Sequence, residues 1–156
     1  MNPSTTSTTA AASTPGSLGV LLRLLHQQFS GAVDDALAEA GFGDVRAAHA
    51  SVFTFVPPEG MPVSELTQLA RVRKQSMAQT VDELEKLGYV ERRPSPTDKR
   101  SRLVFLTARG QQIRPLAMAA GSRTEAQWAA LVGPGELDAV KEALARLLGR
   151  LQSGAE

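Results

Sequence analysis

The chain has 156 residues, 42% hydrophobic and 21% charged, which is enough for one domain to bury a core of its own. It has no cysteine and only two histidines, His26 and His49, so disulfides, thiolate zinc sites and cysteine redox switches are excluded and a histidine metal site is disfavoured. The net charge of +1 hides an uneven distribution: residues 61–110 hold ten Lys or Arg against six acids, a net +4 that leaves −3 for the remainder.

Residues 1–17 contain nine Ser or Thr and no charged side chain. Such a segment buries too little apolar area to offset the entropy of ordering, so it reads as a disordered tail. It lacks the basic start of a secretory signal, and no apolar run approaches the roughly 18 residues of a membrane span. The expectation is a cytoplasmic protein. From Leu18 the pattern is helical: Leu18, Leu21, Leu22, Leu25, Phe29, Val33 and Leu37 form one apolar stripe that stops at Gly41 and Gly43.

A second helix is predicted from Asp44, as N-cap, to about Val56, with Val45, Ala48, His49, Val52, Phe53 and Val56 facing inward. Pro57-Pro58-Glu59-Gly60 ends it. A short third helix opens near Pro62 and runs through Leu66 and Leu69 to about Arg71. The fourth runs from about Arg73 to Gly88, with Met77, Val81 and Leu84 inward and Gln75, Gln79, Asp82 and Lys86 outward. The period then changes. Tyr89–Arg93 and Leu103–Leu106 read as two strands joined by the turn-rich, charged loop Pro94–Arg100. Thr107 caps a fifth helix reaching about Val132, with a kink or late start at Pro115. After Gly133-Pro134-Gly135 a sixth helix carries Leu137, Val140, Leu144, Leu147, Leu148 and Leu151 on one face.

Two short helices, a tight turn and a two-stranded hairpin make a winged helix-turn-helix. The predicted fold is mainly α with a small β-hairpin wing. A dimerisation helix at 18–43 precedes the winged unit at 44–110, and C-terminal dimerisation helices at 111–152 complete one interlocked domain. The long stripes of the first and last helices need covering, and a second copy is the economical cover. On such a scaffold the second helix of the pair suits the major groove of duplex DNA. Gln75, Ser76 and Gln79 offer amides and a hydroxyl to base edges, and Arg73 and Lys74 sit where phosphate is favoured. Lys99 and Arg100 at the hairpin tip, with Arg102 beside it, reach toward phosphates or an adjacent minor groove.

The sequence resembles the MarR family of bacterial transcription factors. The resemblance rests on Ser64-Glu65-Leu66, the run Val81–Arg93, the wing Pro94-Ser95-Pro96-Thr97-Asp98-Lys99-Arg100, and Val104–Gly110. It implies a homodimer with interlocking first, fifth and sixth helices, major-groove contacts from Arg73 to Gln79, and Arg100 at the wing. It implies that Asp98 holds the wing loop in shape. By the same analogy a small aromatic or anionic effector would bind between the dimer helices and the reading unit, with Arg23, His26, His49, Phe53 and Arg114 as candidate walls. Arg71 stands where the family usually has Gly, and Ser95 where it usually has Asp.

The function expected from these residues is sequence-specific binding of double-stranded DNA by a homodimeric repressor, on a palindromic site, released by an effector. The alternative is a winged-helix dimer that serves as a protein-interaction module. No catalytic set, phosphate loop, metal site or cofactor motif is present in the sequence, so an enzyme is not expected.

Overall fold

The computed structural model describes residues 16–97 and 101–154. Residues 1–15 of the tail, and Asp98, Lys99 and Arg100 of the wing, lie outside the described residues. Helix α1 spans Leu18–Glu39 and closes where Gly41 turns to φ +88°. A single 3-10 turn, Ala47–His49, leads into the short α2, Ala50–Phe55. Strand β1, Met61–Pro62, precedes α3, Val63–Ala70, and α4, Lys74–Lys86. The wing strands are β2, Val90–Pro94, and β3, Arg102–Leu106. Helices α5, Ala108–Gln111, α6, Ile113–Val132, and α7, Pro134–Ser153, complete the chain.

The sheet has three antiparallel strands in the order β1-β3-β2. β2 and β3 pair from Val90 opposite Leu106 to Pro94 opposite Arg102, and Met61 sits opposite Val104. The core lies beneath this sheet and between α2, α3 and α4, where Val52, Leu66, Val81, Leu84, Tyr89 and Val104 are wholly buried. One close approach needs glycine: a Cβ on Gly110 would stand 2.1 Å from the Tyr89 carbonyl oxygen, so α5 packs against the start of β2 only without a side chain there.

Four expectations change. Asp44 is not an N-cap, because its carboxylate accepts from the Tyr89 hydroxyl and from Arg109 instead. The turn starts three residues later, and His49 Nδ1 accepts the Arg46 backbone N–H at 3.1 Å, a donor left over at the helix start. Ala48, expected inward, is exposed. The fifth helix is two: α5 ends at Gln111 because the Pro115 ring would collide with the carbonyl four residues back, and Pro115 has no N–H to return a bond. Strand β1 was not expected, since two residues carry no readable period.

Candidate nucleic-acid interface

Helix α4 is held from behind by Met77, Val81 and Leu84, all buried. That fixes Gln75, Ser76 and Gln79 on the opposite, exposed side, with Lys74 exposed in the first turn. Arg73 occupies the N-cap in extended conformation, and the first turn contains no acid. A cationic first turn costs a free helix about 0.3–1 kcal/mol, and an anion placed there reverses the sign. Among the described residues Arg71, Arg73 and Lys74 have no carboxylate within 4.0 Å.

Arg71 closes α3 in the left-handed region, φ 52° and ψ 39°, and is the one non-glycine residue with positive φ among those described. The departure from glycine noted in the sequence therefore falls where glycine is conformationally favoured, at a cost of about 1–2 kcal/mol for a side chain. The guanidinium carried there is exposed, between α3 and α4.

The wing is braced to α4 rather than hung from it. Arg92 binds Asp82 at 2.6 Å and also Glu85, whose other oxygen takes the Arg92 backbone N–H at 3.1 Å. Partial burial works against the Arg92 charge, but the hydrogen bonds to Asp82 and Glu85 outweigh it and raise its pKa. Asp82, expected as part of the outward face, is thereby a brace. Arg93 pairs with Glu91 and stacks 4.8 Å from the Phe105 ring centre. Arg102 is exposed beside Pro94, at the outer end of the paired strands. Ser95 is buried, its amide bonding to the Ser101 carbonyl at 2.8 Å and its hydroxyl lying 3.0 Å from that of Thr97.

At the inner end a cluster joins three segments that the sequence reading left separate. The Tyr89 hydroxyl donates to Asp44, and Arg109 donates to the Tyr89 oxygen at 2.9 Å and to Asp44 at 3.3 Å. Arg109 lies 4.6 Å from the Tyr89 ring centre and 5.5 Å from that of Phe42. The Tyr89 hydrogen bond is the main cause that lowers the Asp44 pKa. Burial, then the bond to Asp44, raises that of Tyr89. The bond to Tyr89 chiefly raises that of Arg109. Partners 45 and 65 residues apart leave no local signal.

The five candidate effector residues do not share one site. Phe53 and Arg114 line a cavity of about 140 Å³ between α1, the 45–54 segment and α6, together with Val33, Leu37, Arg46 and Ile113. The Arg114 guanidinium is engaged by the Phe53 carbonyl at 2.9 Å and by that of Thr54, so it caps α2. His26 instead lines an open groove of about 590 Å³ between α1, α6 and α7, with Leu22, Phe29, Trp128 and Leu144. Arg23 is exposed on α1 and lines neither, while His49 is buried with both ring nitrogens engaged. Phe29 and Trp128 meet edge to face at 6.1 Å. Among the described residues no cluster of three or more His, Asp or Glu could hold a metal, and no helix is long and apolar enough to cross a membrane.

Residues 46–101 match the sequence model of the MarR family. No curated protein sequence matches the chain. Solved structures do. MarR of E. coli is 25% identical with a TM-score of 0.68, over 85% of this chain and 97% of that one. CouR of Rhodococcus jostii RHA1, bound to p-coumaroyl-CoA, is 24% identical with a TM-score of 0.64, over 85% and 92%. YusO of Bacillus subtilis is 19% identical with a TM-score of 0.64, over 85% and 92%. The likeness thus extends past the winged unit to the flanking helices.

Proposed function

We propose that the chain is a winged-helix transcriptional regulator of the MarR family, whose model residues 46–101 match, and that it is a homodimeric repressor binding double-stranded DNA sequence-specifically. The observation that carries the reading is the first turn of α4, basic and without an acid, with Gln75, Ser76 and Gln79 exposed together on its outer side. Arg73, Lys74 and Arg71 take phosphates; Gln75, Ser76 and Gln79 face base edges; Arg102, Lys99 and Arg100 of the wing flank the groove.

The partner is a second copy. Leu131, Leu148 and Leu151 are 82%, 56% and 65% exposed in the single chain, and α7 has no buried residue at all. Covering them pairs two reading helices about one DNA turn apart, roughly 34–36 Å, and calls for a palindromic operator. An effector entering the cavity beside Phe53 and Arg46 would bias the dimer toward a spacing that no longer fits, provided its affinity differs between the two states. CouR, a structural neighbour with a bound ligand, supports an effector of this kind.

Capture of sheared genomic duplex DNA by the purified protein, followed by sequencing, tests the proposal. Enrichment of one palindrome near a promoter is the expected result. No enrichment at low salt by a folded dimer would overturn it and favour a protein-interaction module. On the captured site, Gln79→Ala should relax sequence preference by about 1–3 kcal/mol, read from competition with point-mutated duplexes.

A further inference from the structure

Resting on the reading of α4 as the DNA-reading helix, we propose that His49 is a positioning residue, linking the cavity wall to that helix through Glu83. The wall segment faces two ways. Val45, Arg46, Ala47 and Ala50 line the cavity, while the His49 side chain, 1% exposed, reaches the other way to α4. His49 Nδ1 accepts the Arg46 backbone N–H, so the neutral ring carries its proton on Nε2. Nε2 stands 3.3 Å from Glu83 Oε2, within ion-pair distance of the carboxylate.

The ring is thus a rigid strut with one end on the cavity turn and the other on the reading helix. Glu83 lies one helical turn beyond Gln79 on the same side of α4, so a shift at Glu83 is carried to the base-reading amide. Arg46 adds a second tie, its guanidinium 3.9 Å from Glu83 Oε1 while the residue also lines the cavity.

Substitutions can divide the two ends. Asn places an oxygen near the Nδ1 position and does not reach Glu83; Gln places an amide near Nε2 and does. The experiment compares His49→Asn, His49→Gln, Glu83→Gln and the double variant His49→Asn with Glu83→Gln, each in the full chain. One readout is amide hydrogen exchange of α4 and of α6 in the free protein. The other is affinity for the captured duplex.

His49→Asn and Glu83→Gln should each speed exchange across Thr80–Lys86 by roughly tenfold, the effect of losing the contact between ring and carboxylate, with α6 unchanged. The double variant should add nothing to either. His49→Gln should restore slow exchange, and duplex affinity should follow the same order. Equal effects on α4 and α6, additive single variants, or His49→Gln behaving as His49→Asn would overturn the proposal and leave an ordinary core histidine. Glu83 is half-exposed, so Glu83→Gln carries the test if His49→Asn does not fold. The exchange pattern without binding of any duplex would support the link and refute the DNA reading, since exchange is read without DNA.

Discussion

The winged unit and the terminal helices handle apolar surface in opposite ways. Within residues 45–107, Val52, Leu66, Val81, Leu84 and Val104 are wholly buried by neighbours in the same chain. Along α1 and α7 the stripes are as regular, yet Leu18, Leu22, Leu25, Val140, Leu147, Leu148 and Leu151 stay exposed. The difference teaches that the first region covers its own apolar surface, with Leu37 and Ile113 of the flanking helices, while the terminal stripes are left open. Apolar burial contributes about 25 cal/mol per Å², so a stripe of this length is strongly driven to find cover.

The largest effect should come from attacking the open side. Leu148→Glu with Leu151→Glu places two charges where a partner is expected. Each lost Leu is worth about 1.5–3 kcal/mol, so the dimer dissociation constant should rise at least about 100-fold in sedimentation equilibrium. The circular dichroism of the winged unit should survive.

The covered side should break from within. Gly110→Ala drives a methyl into the Tyr89 carbonyl and should cost about 3 kcal/mol, the upper end of overpacking, in urea denaturation. Neither change should behave like the other: the first depends on protein concentration and the second does not.

Tyr89→Phe should cost about 1–2 kcal/mol, less than a buried charged hydrogen bond because Asp44 is partly exposed. Its pH dependence has a defined sign. Asp44 has a lowered pKa in the folded chain, so it adds stability above its unfolded value near 3.8 and loses it as pH falls through the folded value. In Tyr89→Phe the main cause of that depression is gone, so the acid limb of stability against pH should flatten.

The smallest change sits on the reading surface. Arg71→Gly relieves a left-handed backbone at the cost of a floppier unfolded chain, a net gain of roughly 0.5–1 kcal/mol. The same change should weaken binding to all duplexes and lower the salt slope by about one. More stability with less binding would mark Arg71 as held in strain for its charge.

What could be read from the sequence was what repeats or punctuates locally. The α1 stripe, the inward Met77, Val81 and Leu84, the Gly88 stop at φ +78° and the Thr107 cap, which accepts from the Gly110 N–H at 3.1 Å, are set by neighbours within a few residues. Asp44 was misassigned for the converse reason. A capping rule looks three residues ahead, whereas its partners stand 45 and 65 residues away. Ala48 fits a stripe by spacing but lies exposed in the 3-10 turn. The exposed side of α4 was accessible as a list of residues; the Arg92 brace and the His49–Glu83 contact required knowing which elements touch. The effector residues scattered because analogy names a region, and only packing decides which side chains share a cavity.

The central claim is that the uncovered half is completed by a second copy that brings two reading helices to one duplex. Sedimentation of the protein alone and on a duplex bearing the captured palindrome tests it most directly. The account predicts a free dimer of twice 16.6 kDa that adds to the duplex as one unit, two protomers per palindrome. A stable monomer, or single protomers that fill the two half-sites independently, would contradict it.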